Sequence, residues 1–64
     1  MVKVINLRCG DIVLPFDPIT KLFYQRPYRL TLKTYEYCVF EDLDFPDIGV
    51  RCKPDENALL IVTY

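Results

Sequence analysis

The 64-residue chain has no histidine, tryptophan or serine. Without histidine or serine, neither a Ser-His-Asp nor a Cys-His nucleophile arrangement can be built, and the commonest general base is missing. It also lacks a long apolar run. Met1 to Leu7 carries a lysine and a brief hydrophobic stretch, far short of a signal-peptide core or of the ~20 residues needed to cross a bilayer. A cytoplasmic protein with no membrane association is expected. Cysteine is odd in number and lacks pairing motifs: Cys9, Cys38 and Cys52 show no C-x-x-C spacing. They fit neither a disulfide framework nor a zinc site, and a reducing intracellular setting is the simpler inference. Size limits function further, because a chain this short removes only roughly 60% of its unfolded surface from water on folding. One domain spanning 1–64 is expected, and an enzyme with a deep substrate cleft is not.

What the chain does have is enough apolar surface to fold, with 52% hydrophobic residues and a net charge of -1. Charge is unevenly placed. Met1 to Lys33 holds six cations against two acids, a net +4, and Thr34 to Tyr64 holds two cations against seven acids, a net -5. Either the halves pack together and screen each other, or they form two surfaces for two kinds of partner.

Strand signals dominate. Val2–Leu7 and Ile12–Phe16 are apolar and β-rich, and Gly10-Asp11 between them predicts a hairpin. Pro15 has no amide hydrogen, which predicts an edge strand or the end of a strand. Residues 18–25 carry competing signals. Asp17-Pro18 looks like a helix start, and Ile19, Leu22 and Phe23 share one helical face. Thr20, Phe23 and Tyr24 favour strand, and Pro27 closes the segment. A short helix or helical turn is the leaning.

Tyr28 to Lys33 alternates cleanly, with Tyr28, Leu30 and Leu32 on one face. Beyond it, Tyr35, Tyr37 and Val39 take the opposite parity. A straight strand from Tyr28 to Phe40 would run ~43 Å, whereas a domain of this size is ~28 Å across. The run therefore bends near Lys33-Thr34, by a bulge or a reversal. Glu41 to Gly49 reads as a loop, Val50 to Lys53 as a strand, Pro54 to Asn57 as a turn, and Ala58 to Thr63 as a central strand. The expected fold is mainly β: a small five- or six-stranded antiparallel barrel or strongly curved sheet, Src-homology-3-like or OB-like, with at most one short helix near 18–25.

Two constellations are candidates for binding. Glu41, Asp42, Leu43, Asp44, Phe45 and Asp47 interleave acids with apolar anchors, a composition suited to docking into a groove rimmed by Lys and Arg. The bland reading is that Leu43 and Phe45 tuck back onto the core. The segment superficially resembles the acidic-hydrophobic motifs that bind replication clamps, without the glutamine that opens them. Its acids lack the ligand spacing and interior glycine of a calcium loop, so no metal and no cofactor is expected.

Lys21, Tyr24, Arg26, Tyr28, Arg29 and Lys33 form the second set. Cations that neutralise phosphates lie there among aromatics that stack on bases. The bland reading of this set is that Phe23, Tyr28 and Leu30 are core and the cations merely the wet side of a strand. Of the three thiols, Cys9, beside Arg8 and a turn, is the candidate for reactivity, and Cys38 reads as core.

Two local resemblances fall on the same residues. A basic N-terminal strand followed by Gly10-Asp11-Ile12-Val13 resembles the opening of PemK/MazF-type toxin barrels. Val2-Lys3-Val4 with Gly10-Asp11-Ile12-Val13-Leu14-Pro15 resembles the start of AbrB/MazE-type swapped-hairpin transcription factors, which implies a short helix after the proline and DNA binding. Each covers under a quarter of the chain. The toxin resemblance lacks matching catalytic positions downstream, and the transcription-factor resemblance lacks the Arg-rich helix.

The leading expectation is a small non-enzymatic intracellular protein that modulates or inhibits a larger protein by occupying its surface, of the kind phages and other mobile elements encode. The alternative is a nucleic-acid-binding small barrel or swapped-hairpin DNA-binding protein using residues 21–33. A homodimer is expected from the edge that Pro15 would mark.

Overall fold

The computed structural model describes residues 1–61. Its strands are β1 (Val2–Lys3), β2 (Ile12–Asp17), β3 (Leu22–Phe23), β4 (Tyr28–Lys33), β5 (Cys38–Asp42), β6 (Gly49–Cys52) and β7 (Asn57–Leu60). They form one antiparallel seven-stranded sheet in the order β1-β7-β2-β4-β5-β6, with β3 alongside β2. The sheet has seven strands where five or six were expected, because the short β1 and β3 pair as well, and it does not close: among the described residues β6 pairs with β5 alone and β1 with β7 alone. Val4, Val13, Leu30, Phe40 and Ala58 form the centre of the core, each almost wholly buried. The last two residues of the expected Ala58–Thr63 strand lie outside the described residues.

The hairpin expected at Gly10-Asp11 does not form. β1 pairs with β7, Val2 opposite Ala58, and the chain then enters a 3-10 turn over Val4–Asn6. Burial explains the choice. Val4 and Leu7 are both in the core, a strand would send residues three apart to opposite faces, and a 3-10 turn eclipses them on one side. The turn is held by Val4 N–H donating to Glu56 O at 2.9 Å and Ile5 N–H donating to Pro54 O at 2.8 Å. Gly10, at φ 100°, occupies the one backbone conformation there that favours glycine, and its N–H reaches Leu30 O at 2.8 Å.

Residues 18–25 are not helical. β2 and β3 make a hairpin in which Phe16 faces Phe23 and Asp17 faces Leu22. The Asp17 carboxylate accepts from Ile19 N–H at 2.9 Å, the local side-chain turn that aspartate favours, and Lys21 turns the corner at φ 61°. Ile19 and Leu22 would have faced the core from a helix, yet they stand 90% and 65% exposed. The helical spacing was coincidental. The helix that the transcription-factor resemblance implies is likewise absent.

Pro15 sits in the middle of the sheet and not at an edge, opposite Ala58 of β7 and wholly buried. In a strand, N and O of one residue point the same way. Pro15 O accepts from Tyr24 N–H at 2.8 Å, so its missing donor faces the gap where β3 ends and the chain leaves the sheet before β4. The ladder loses nothing there that the gap had not already removed.

The long run from Tyr28 to Phe40 both bulges and reverses. Leu30 pairs with Phe40 but Leu32 pairs with Val39, leaving Thr31 as the extra residue. Leu32 is thereby turned off the core face, to 44% exposure. The chain reverses over Thr34–Tyr37, where Thr34 Oγ1 accepts from Tyr37 N–H at 3.0 Å. The molecule measures 26 × 24 × 23 Å.

Candidate functional site

Along β5 the inward parity is Cys38, Phe40, Asp42. The strand thus delivers a carboxylate to the core, and Asp42 is 2% exposed. A buried charge is tolerated only when paired and hydrogen-bonded, and Asp42 is both. Arg26 Nε lies 3.0 Å from Oδ2 and Arg26 Nη2 donates to Oδ1 at 3.1 Å. The backbone N–H groups of Asp44 and Phe45 donate to the same Oδ1 at 2.8 and 3.2 Å. Burial by itself would raise the Asp42 pKa; the Arg26 hydrogen bond, the two backbone donors and the Arg26 charge outweigh it and hold the carboxyl below its ordinary value.

Asp42, expected among outward partner contacts, instead faces inward and is the peg on which the following loop hangs. Leu43 N–H donates to Pro27 O at 3.3 Å and Ile48 N–H to Phe45 O at 2.9 Å, so residues 43–48 are tied at both ends. Leu43 is half-buried. Phe45 lies under the Arg26 guanidinium, 4.4 Å from centroid to Cζ, yet remains 52% exposed, and Ile48 is 49% exposed. Asp44, Asp47 and Pro46 are also exposed, while Glu41 is half-buried on β5 opposite Arg29. Of the two apolar residues weighed as anchors, Phe45 projects and Leu43 leans inward.

The basic-aromatic set is not gathered on one face. Arg26 is committed to Asp42, with Asp44 at 3.8 Å, a contact between the basic and acidic halves of the chain. Tyr28 is buried, its hydroxyl pKa raised first by burial and then by the Asp42 carboxylate, with Arg26 opposing. Tyr24 packs on Tyr28 at 5.5 Å between centroids. Lys33 Nζ donates to Leu7 O at 2.8 Å. Arg29 is exposed on β4, and Lys21 is exposed at the β2–β3 turn.

Two features escaped the sequence. Ile48, read as one more loop residue, belongs with Phe45; its spacing three residues on was the available signal. The other is a groove of about 280 Å³ where the sheet fails to close, lined by Phe16, Tyr24, Val50, Arg51, Cys52 and Lys53 among others. Consecutive residues 50–53 line it, as a strand edge does and a sheet face, showing alternate residues, does not.

Among the described residues no three metal-ligating side chains come together, and no helix is long and apolar enough to cross a membrane. Neither protein-family models, curated proteins nor solved structures match this chain.

Proposed function

We propose that this chain is a small non-enzymatic binding protein that modulates or inhibits a larger protein by occupying its surface, with the loop 43–48 as the docking element. One observation carries the reading: Phe45 and Ile48 are half-exposed on a backbone that the Asp42 carboxylate has already fixed. A loop ordered before binding loses little conformational freedom on docking, so its apolar anchors yield their burial energy to the complex. Asp44 and Asp47 flank the anchors and favour a groove rimmed by Lys and Arg. The meander β2-β4-β5-β6 with β7 returned beside β2 also follows the strand order of small Src-homology-3-like barrels, and we read the fold as an open barrel of that kind. The nucleic-acid alternative has less support, because Arg26, Tyr28 and Lys33 are engaged within the protein.

The test is affinity capture from host lysate on immobilised protein, run in parallel with a Phe45→Ala/Ile48→Ala variant of confirmed fold. A protein retained by the first and lost from the second supports the reading. Equal capture by both, or retention of nucleic acid that falls away steeply with salt, goes against it.

A further inference from the structure

Cys38 of β5 and Cys52 of β6 stand directly opposite each other. Both are free thiols on the core face, Cys38 fully buried and Cys52 at 7% exposure. Their pairing type follows from the ladder. Asp42 N–H donates to Ile48 O at 3.0 Å, and hydrogen-bonded pairs recur at every second position of an antiparallel ladder. Phe40 with Val50 and Cys38 with Cys52 are therefore of the hydrogen-bonded kind.

Residues so placed have Cα atoms about 5.5 Å apart, inside the roughly 4.4–6.8 Å that a disulfide spans. Their Cβ atoms, up to about 5.5 Å apart, must close towards about 3.8 Å. The bond can form through a small movement and retains strain, which makes it reducible. The movement is available because β6 pairs on one side only among the described residues.

We propose that Cys38 and Cys52 are a thiol-oxidation site, taking a low-molecular-weight disulfide as oxidant and closing to an internal disulfide that staples β5 to β6. Cys52, which lines the open groove, reacts first. Its thiolate attacks one sulfur of the oxidant RSSR, giving a mixed disulfide, and the proton it gave up leaves with the first RSH. The Cys38 sulfur then attacks the Cys52 sulfur, breaks the mixed bond and releases the second RSH with the Cys38 proton. The two electrons lost by the thiols reside in the two RSH products. The enclosed segment 39–51 contains the loop 43–48, but the site does not depend on what that loop binds. Burial, and then Glu56, Cys38 and Asp17, push the Cys52 thiol up to about 11. Exchange is accordingly slow near neutrality and accelerates about tenfold per pH unit as the thiolate fraction grows.

The experiment uses a Cys9→Ser protein, which removes the exposed thiol, treated with bis(2-hydroxyethyl) disulfide under native conditions. Expected are a loss of two hydrogen atoms in intact mass without an adduct, and protection of both thiols from alkylation. Peptide mapping should join Cys38 to Cys52, and dithiothreitol should reverse the change readily. Cys38→Ala in the same background should stop at a mixed disulfide on Cys52. A mixed disulfide that accumulates on the Cys9→Ser protein without closing would overturn the proposal. So would links between molecules, or closure seen only once urea has unfolded the chain, and these outcomes are readable on the Cys9→Ser protein alone.

Discussion

Truncating Phe45 to Ala separates a docking anchor from a core residue. A fully covered phenylalanine hides roughly 150–250 Å². With the residue 52% exposed, the covered part is on the order of 100 Å² by that scale, worth at most about 2.5 kcal/mol at about 25 cal/mol per Å². The contact with the Arg26 guanidinium contributes about 0.5–1 kcal/mol at such an exposed site, partly the same energy counted again. A surface truncation leaves no sealed cavity, so the expected cost is about 1–2 kcal/mol. Phe40→Ala, at a site with no exposure, should cost about 3–5 kcal/mol, comparable with the whole stability of a domain this small. Urea unfolding followed by tyrosine fluorescence should show Phe45→Ala with a lowered midpoint but a full native baseline, and Phe40→Ala with little or none. Binding should respond in the opposite sense: an anchor loss of at least about 2 kcal/mol weakens the captured partner some thirtyfold. Equal destabilisation by the two variants, or a folded Phe45→Ala that binds its partner as before, refutes the assignment.

Asp42→Asn should lower the urea midpoint and speed hydrogen exchange at the Asp44 and Phe45 amides, since the charge that gathers them is removed; unchanged protection at both would show the loop holds itself. Acid should do the same reversibly: the Asp42 carboxyl is held below its ordinary 3.8, so its contribution is present above that pH and is lost as pH falls through the folded value. At the alkaline end, Cys52 is raised from 9.0 to about 11 and Tyr24 and Tyr28 lie above 10.0. The folded state there holds protons that the unfolded chain releases, and stability should decline from about pH 9 upward in a denaturation series. A homodimer, expected from a Pro15 edge and from the aromatic surplus, loses the first motive because Pro15 lies inside the sheet, while β1 and β6 remain as end strands among the described residues; light scattering at high concentration that gives a monomer mass removes it.

Strand identity was legible where alternation met burial on both sides. Tyr28 and Leu30 gave β4 because each second side chain enters the core, and the apolar run at Ala58 gave β7, which is indeed flanked by β1 and β2. Pairing was not legible. Gly10-Asp11 is good turn chemistry, but whether a turn joins two paired strands depends on which surfaces meet, and Val4 and Leu7 found theirs by leaving the extended conformation. Asp17-Pro18 failed for a similar reason, its side-chain turn serving a hairpin as well as it serves a helix start. For the site, the composition of residues 41–47 drew attention to this loop as acids and anchors facing outward, whereas Asp42 is buried and holds the amides of Asp44 and Phe45. The sequence put Tyr35, Tyr37 and Val39 on the apolar parity, whereas Cys38, Phe40 and Asp42 are the buried ones, and four acids in seven residues read as a wet surface.

That misreading has a physical root that also explains why one residue of the basic-aromatic set, Arg26, joins the acidic loop. The acidic and basic segments lie on neighbouring parts of a small sheet, and one member of each is drawn into contact. Here the pair is Arg26, two residues before β4, and Asp42, the last residue of β5. Asp42 is buried while Arg26 stays 44% exposed, and an ion pair that buries a carboxylate contributes little net stability compared with an apolar substitute of the same shape, so its retention calls for another reason. Each Asp42 oxygen accepts from a different set of donors: Oδ2 takes Arg26 Nε, while Oδ1 takes Arg26 Nη2 and the two amides that turn the chain into the loop. An apolar substitute would pack the space and release those amides, and Phe45 would lose both the fixed backbone beneath it and the cation above it. Specification of loop shape, more than stability, is what this pair supplies. An Arg26→Leu/Asp42→Leu double variant should accordingly stay folded, with loop amides that exchange freely and a partner affinity as low as that of Phe45→Ala; one that keeps full affinity would show that the loop needs no peg.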